Sequence, residues 1–275
     1  MITENKEKNL KSVDVITSKY NLNVGERGEK RLKVLGGLYN NNSIEFIREM
    51  GVENCNMVLD VASGTGEMTC KISKLSLGRV IGIDNSPEQI SVAKKNADNL
   101  NIESVEFINV SAEELSSLNI KFDLIYCRFL LVHLRDPMIA LKSMYDSLAI
   151  GGKLICEEAT SSISFCYPPS TVFDKWLKLW DAIRADYDIG LKLHDAFRKL
   201  NLKIEKSIVH QPILSNEEEK SILLYNVLES VAAAERVGFA TPDEMAKFAD
   251  DMREFCKEDR YFIGYLRNTL ICGKK

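Results

Sequence analysis

Five short apolar runs, at 57–61, 79–84, 105–110, 122–127 and 153–157, restrict the fold of this chain more than any other feature. Each has strand length and ends at turn residues, and helical periodicity fills most of the gaps between them. Ser86-Pro87-Glu88-Gln89 reads as a capping box with proline at the first helical position, followed by Ile90, Ala93, Ala97 and Leu100 on one face. A second helix starts at Asp136-Pro137, turns Ile139, Leu141, Met144, Tyr145 and Leu148 inward, and is expected to stop at Gly151-Gly152. Strands alternating with helices imply right-handed crossovers and a parallel sheet covered on both faces, an α/β fold.

The flanks differ in texture. Residues 1–11 are charged and aperiodic, as in a frayed tail, and 31–50 carry one or two helices ahead of the first strand. Beyond the fifth run, a helix bearing Phe173, Trp176, Leu177 and Trp180 precedes a helix at 191–200 and a strand at 203–214. Helices at 216–236 and 241–257 then separate that strand from a final one around 261–272. With no internal repeat or low-complexity linker, the expected plan is a tail and helical cap over 1–50 and one domain over 51–275, with helical insertions at about 159–190 and 215–259.

Composition removes several classes of function. The chain has 275 residues, 45% hydrophobic and 28% charged, enough for an ordinary globular core. A net charge of −4 supplies no broad positive field, so nucleic acid is not the expected partner. The seven cysteines are scattered, odd in number and never spaced C-x-x-C, which argues against a disulfide framework or a thiolate zinc site and for reduced thiols in a cytoplasmic protein. No metal site is expected. The first twenty residues lack an apolar signal core and no run of about 18 apolar residues occurs, so neither export by a cleavable signal nor a membrane span is expected.

The chemistry concentrates where the first strand meets a small-residue loop, Asp60-Val61-Ala62-Ser63-Gly64-Thr65-Gly66, that opens a helix. In a parallel sheet this loop sits at the carboxyl edge, where ligands bind, and small residues let backbone approach them. Eighteen residues past Gly66 the second strand ends in Asp84, an acidic side chain placed to accept hydrogen bonds from both ribose hydroxyls of a nucleoside. A dinucleotide site wants a third glycine where Thr69 stands, and Asp60 would repel its pyrophosphate. That carboxylate suits a cationic amino group, such as that of S-adenosylmethionine (SAM).

At this point the sequence resembles the class I SAM-dependent methyltransferases over about residues 58–158. VLDVASGTG is similar to their first motif, VIGIDNSPEQI to the second, VEFINVSAEEL to the third, FDLIYCRFLLVHLRDP to the segment after strand four, and LAIGGKLICEE to the turn into strand five. The resemblance implies a Rossmann-like, seven-stranded, mostly parallel sheet with an antiparallel last strand and helical lid insertions. It implies that Asp60 and the backbone of Ala62, Ser63, Gly64 and Gly66 hold the methionine part of SAM and Asp84 its ribose. Asn85 and Gln89 would flank the adenine, Ser111, Ala112 and Glu113 line its edge, and the backbone near Cys127 and Arg128 close the pocket. Two positions depart from the family pattern: Ala62 replaces its first glycine, and Ser111 stands where an acidic residue is often found.

The reaction implied is methyl transfer to a small-molecule N, O or C acceptor. His133, after strand four, is either a general base or acceptor-orienting donor, or an anchor of its loop. Glu158 is a second base candidate, although Glu157 and Glu158 also read as a solvated strand end. His194 and His210 read as structural. Phe173, Trp176 and Trp180 read as core or lid packing, with an aromatic cage for a cationic acceptor as the alternative. Arg128 pairs with a cofactor or substrate carboxylate, or forms a structural ion pair. A non-catalytic SAM-binding protein and a nicotinamide-dependent oxidoreductase are the competing readings.

Overall fold

The computed structural model describes residues 26–183 and 188–275; the tail expected at 1–11 lies outside them. α1 (Glu26–Glu49) is a single helix where the spacing allows one or two. Its last turns bury Phe46 and Ile47 against Val58 of the first strand, so it shares a core with the sheet.

The apolar runs form β1 (Met57–Val61), then, after α2 (Glu67–Ser73), β2 (Arg79–Asp84), α3 (Pro87–Asn99), β3 (Val105–Asn109) and β4 (Phe122–Arg128). They read as continuous apolar stretches because helices cover both faces of a parallel sheet. α4 (Pro137–Ser147) leads directly into β5 (Leu148–Thr160). The helix therefore ends before Gly151-Gly152, and the glycines kink a strand instead of stopping a helix. The pairing with β4 jumps from Phe122↔Leu148 to Leu124↔Lys153, and Gly151 holds φ 78 at that irregularity. Leu148 is buried as a strand residue, whereas Ile139 is 53% exposed and does not face inward. In α3, Ile90, Ala93 and Ala97 are buried but Leu100, just past the helix, is exposed. The capping box there is half made: Ser86 Oγ accepts from Gln89 N (3.2 Å), while the Ser86 N–H goes to Asp84 Oδ1 (2.9 Å).

The remaining elements are β6 (Phe165–Tyr167), α5 (Thr171–Ile183), α6 (Ile189–Lys199), β7 (Lys203–His210), β8 (Ile213–Leu214), α7 (Glu217–Glu229), α8 (Val231–Arg236), α9 (Pro242–Lys257), β9 (Phe262–Gly264) and β10 (Arg267–Lys274). The main sheet has the order β3-β2-β1-β4-β5-β10-β7, with β10 antiparallel to both neighbours. The seven-stranded sheet with a reversed last strand is thus observed. A second sheet, β6-β9-β8, has no counterpart in the sequence reading. It arises because the run 203–214 breaks before β8, where Pro212 has no N–H for a ladder, and the run 261–272 breaks between β9 and β10. The helix expected over 216–236 likewise divides at Ser230 into α7 and α8. Among the described residues no helix is long and apolar enough to cross a membrane.

Candidate active site

The loop after β1 is built by backbone hydrogen bonds to its neighbour. Ser63 N donates to Ile83 O (2.8 Å) and Gly66 N to Ser63 O (2.9 Å). Gly66 has φ 78, and a Cβ there would fall 2.7 Å from the Phe107 ring, so the turn tolerates no side chain. Ala62 nevertheless holds φ 59, a strained conformation for a residue with a Cβ. Asn96, which the motif reading passed over, fastens the loop from α3 by donating to Thr65 O (2.9 Å).

Two carboxylates stand at the ends of adjacent strands on either side of this loop. Asp60 is 2% exposed, and Thr69 Oγ1 donates to its Oδ2 (2.6 Å). Burial pushes its pKa up to about 7, against the lowering effects of Thr69 and Arg128. Asp84 accepts from Gly64 N at Oδ2 (3.0 Å) and from Ser86 N at Oδ1 (2.9 Å). Burial raises its pKa too, with the hydrogen bonds from Ser86, Gly64 and Asn85 opposing that rise. Asn109 Nδ2 ties down the Asp84 carbonyl (2.8 Å).

Other expected contact residues line the same edge. Gln89 is buried with Oε1 unpartnered, as is Ser63 Oγ, whereas Asn85 is exposed. Ser111 and Ala112 are half-buried and Glu113 is exposed; Glu113 N donates to Ser111 Oγ (3.3 Å). Cys127 is fully buried at the end of β4, its Sγ 3.4 Å from Cys156 Sγ on β5. A groove of about 650 Å³ on the flank, between residues 113–121 and α4, shares only Glu113 with this set.

Glu157 and Glu158 are not a solvated strand end: both are buried, at 1% and 0% exposure. Glu157 accepts from Ser43 Oγ (2.7 Å), Tyr126 OH (2.7 Å) and Asn268 Nδ2 (2.9 Å), which joins α1, β4 and β10. Glu158 Oε1 accepts from Leu130 N (2.9 Å) and Leu131 N (2.8 Å), anchoring the one-turn helix Leu131–His133. Burial pushes the Glu158 pKa up to about 8 despite those N–H groups. Its carboxyl is thereby committed to the loop that carries His133, which is half-buried at the end of that turn.

Phe129, between Arg128 and that turn, holds φ 53, a costly conformation for a bulky residue. Its ring meets Tyr39 edge-on (5.5 Å), and Tyr39, whose OH donates to Leu266 O (2.7 Å), also meets His210 and Tyr265. Trp176 continues the row beside Tyr265 (5.7 Å), Phe173 and Trp180. Phe173, Trp176 and Trp180 are at most 2% exposed and pack as core. His194 sits on an exposed helix face 3.0 Å from Ser207 Oγ, and His210 Nε2 lies 3.2 Å from Leu38 O, so both join elements away from the glycine loop.

A parallel sheet with one reversed strand, its first two strands ending in aspartates around a glycine loop, defines the class I SAM-dependent methyltransferase fold. The family described as a methyltransferase domain matches residues 52–222, and the chain belongs to that family. It is 30% identical over 131 residues to a demethylmenaquinone methyltransferase of Oceanobacillus iheyensis, covering 47% of this chain and 55% of that protein. It is 36% identical over 126 residues to a ubiquinone/menaquinone biosynthesis C-methyltransferase of a Marinomonas species, covering 45% of this chain and 50% of that one. The chain thus spans about half the length of the curated relatives it matches. Among solved structures, a Bacillus halodurans C-125 protein assigned as a methyltransferase superposes with a TM-score of 0.60 at 16% identity, covering 85% of this chain and 99% of that one. At that identity the likeness is one of fold.

Proposed function

We propose that this protein binds SAM at the carboxyl edge of β1 and β2 and transfers its methyl group to a small-molecule N, O or C acceptor. The observation that carries the reading is the pair Asp60 and Asp84, set on neighbouring strands across the loop 62–66. The surrounding groups fit a nucleoside with a cationic tail. Asp84 gives one hydrogen bond site of each oxygen to backbone and keeps further lone pairs for two ribose hydroxyls. Gln89 Oε1 and Ser63 Oγ are buried and unpartnered, and the space in front of the Gly64 Cα is open. Buried polar atoms of this kind carry a desolvation cost that a hydrogen-bonding ligand relieves.

When bound, SAM supplies a methyl group already activated on a sulfonium. The protein's part is placement. Asp60 faces the methionine ammonium, Asp84 fixes the ribose, Asn85 and Gln89 flank the adenine, and Ser111, Ala112 and Glu113 line its edge. Cys127 and Arg128 close the floor. Phe129 and Tyr39 exclude water on the acceptor side, where His133 holds or receives a proton, and Glu158 fixes the turn that carries it. Alignment of two reactants supplies about 7 to 11 kcal/mol, whereas a positioned base adds about 10²- to 10⁴-fold, so most of the rate rests on placement. A flat, largely apolar acceptor is in keeping with relatives named for demethylmenaquinone and for ubiquinone/menaquinone biosynthesis.

Calorimetry with SAM and S-adenosylhomocysteine tests the cofactor. Micromolar binding, about −8 kcal/mol, is expected for the native chain and is largely lost in Asp84→Ala. Transfer of tritium from methyl-labelled SAM into fractionated cell extract tests the reaction. Binding with no labelled acceptor in any extract favours a non-catalytic SAM-binding protein, and binding of a nicotinamide dinucleotide in place of SAM refutes the reading.

A further inference from the structure

Two sulfurs face one another near the ends of the central strands. β4 and β5 pair in parallel with Cys127 opposite Cys156, and Cys127 Sγ donates to Cys156 Sγ across 3.4 Å. Both side chains are fully buried, on the face of the sheet that α4 and α6 cover. Three other thiols turn to backbone instead: Cys55 to Gly51 O, Cys166 to Pro168 O and Cys256 to Lys220 O. Neighbouring strands run about 4.8 Å apart, inside the range of about 4.4 to 6.8 Å that the Cα atoms of a disulfide span. Side-chain rotation with a small approach of the two strands would bring the sulfurs to a bonding distance of about 2 Å.

The pair sits inside the bracing of the sheet's carboxyl edge. Arg128, one residue past Cys127, donates from Nη1 to Asn40 Oδ1 (2.9 Å) and Ser43 Oγ (3.3 Å) of α1. Phe129 N donates to Glu157 O (3.0 Å), which extends the β4–β5 pairing past the cysteines. Glu157 and Glu158 directly follow Cys156; the first accepts from Ser43, Tyr126 and Asn268, and the second from Leu130 N and Leu131 N. A bond that draws the two strands together therefore shifts the anchors of α1 and of the turn that carries His133. The hydrogen bond to Cys156, and then burial, push the Cys127 thiol well above the ordinary thiol range. A thiol held protonated and enclosed reacts slowly, when the strand ends open to solvent.

We propose that Cys127 and Cys156 form a reversible disulfide when the protein meets a hydroperoxide, and that this modification weakens cofactor binding. The second half rests on the SAM reading above; the first does not. One sulfur, as its thiolate, attacks the O–O bond of the peroxide and becomes a sulfenic acid, while the departing oxygen takes up a proton and leaves as an alcohol or water. The second sulfur then attacks the sulfenic sulfur, forming the S–S bond and releasing water. The thiols together give up two electrons, and the hydroperoxide accepts them. A resolving thiol at 3.4 Å captures the sulfenic acid before it oxidises further, so the change stays reversible by a dithiol.

Hydrogen peroxide is the probe. The full chain is oxidised, its remaining thiols are alkylated, and its peptides are mapped by mass spectrometry without reduction. A cross-link between the peptides of Cys127 and Cys156 should appear and be reversed by dithiothreitol. Calorimetry should show S-adenosylhomocysteine bound about 5- to 150-fold more weakly by the oxidised protein, the ordinary size of coupling between two sites, and affinity restored on reduction. Cys156→Ala should bind S-adenosylhomocysteine as the native chain does and keep that affinity after peroxide. Absence of the cross-link while the half-buried Cys55 and Cys166 are oxidised overturns the site. A cross-link with unchanged affinity, or an equal loss of affinity in Cys156→Ala, overturns the coupling. Reduced native protein that binds no S-adenosylhomocysteine overturns the SAM reading, and the peptide map still decides the disulfide.

Discussion

Replacement of Glu158 by glutamine isolates the energetic consequence of a carboxyl group held in a dry environment. Its pKa is raised from an ordinary 4.5 to about 8, chiefly by burial. For an acid this direction means that the fold favours the neutral form. Stability from this group is fully present below about pH 4.5, falls as pH rises from there, and levels off above about pH 8. At about 1.36 kcal/mol per pH unit, the interval between 4.5 and about 8 sets a ceiling of about 5 kcal/mol between the two limits. The glutamine variant would keep an oxygen for the Leu130 and Leu131 N–H groups and remain neutral throughout. Its amide NH₂ would take the place of Oε2, which has no partner, at a cost of about 1 to 3 kcal/mol that does not vary with pH. The informative quantity is therefore the slope. Urea unfolding at pH 5.5, 7 and 9 should show the native chain losing several kcal/mol more than Glu158→Gln as pH rises. Parallel stability curves for the two proteins would refute the assignment of a buried neutral carboxyl to this position.

Asp60 obeys the same sign at a lower pH: its pKa of about 7 means that a cationic ligand must draw it into the ionised form. SAM affinity should therefore rise between about pH 6 and 8 with release of a fraction of a proton, measured by calorimetry in buffers of different ionisation enthalpy; proton uptake would contradict this. Ala62→Gly removes a Cβ from a left-handed residue, with φ 59, and should stabilise the chain by about 0.5 to 1 kcal/mol after the larger chain entropy of glycine is counted. A lower denaturant midpoint in that variant would show that the alanine conformation is not strained.

The part of the fold legible in the sequence is the part whose causes are local. The five parallel strands show as mostly apolar runs because both faces of the sheet are largely covered, and the loop 62–66 announces itself through small residues between a strand and a helix. The fate of Glu157 is not local. Its partners Ser43, Asn268 and Tyr126 lie 114, 111 and 31 residues away, and no spacing rule reveals that a carboxylate at a strand end will be enclosed. The small β6-β9-β8 sheet is hidden in the sequence for a similar reason: its strands have three, three and two residues, and each is a strand only because a distant segment pairs with it. The Gly151-Gly152 pair reads as a helix stop because glycine marks helix ends and strand irregularities equally well. Asn40 and Arg128 meet across 88 residues, so the polar link between α1 and β4 is visible only in three dimensions.

The placement of β10 has a consequence for how the chain acquires its shape on the ribosome. This strand follows β7 and the helices α5 to α9 in synthesis order, yet it lies between β5 and β7. Until residues 267–274 emerge from the exit tunnel, β5 can pair only with β4 and β7 has no strand to join, so each presents a bare backbone edge to the surrounding cell. Ribosome-bound chains that end at residue 266 should be held by chaperones and cut readily by protease, and those in which an added C-terminal linker carries residues 267–274 out of the tunnel should resist both.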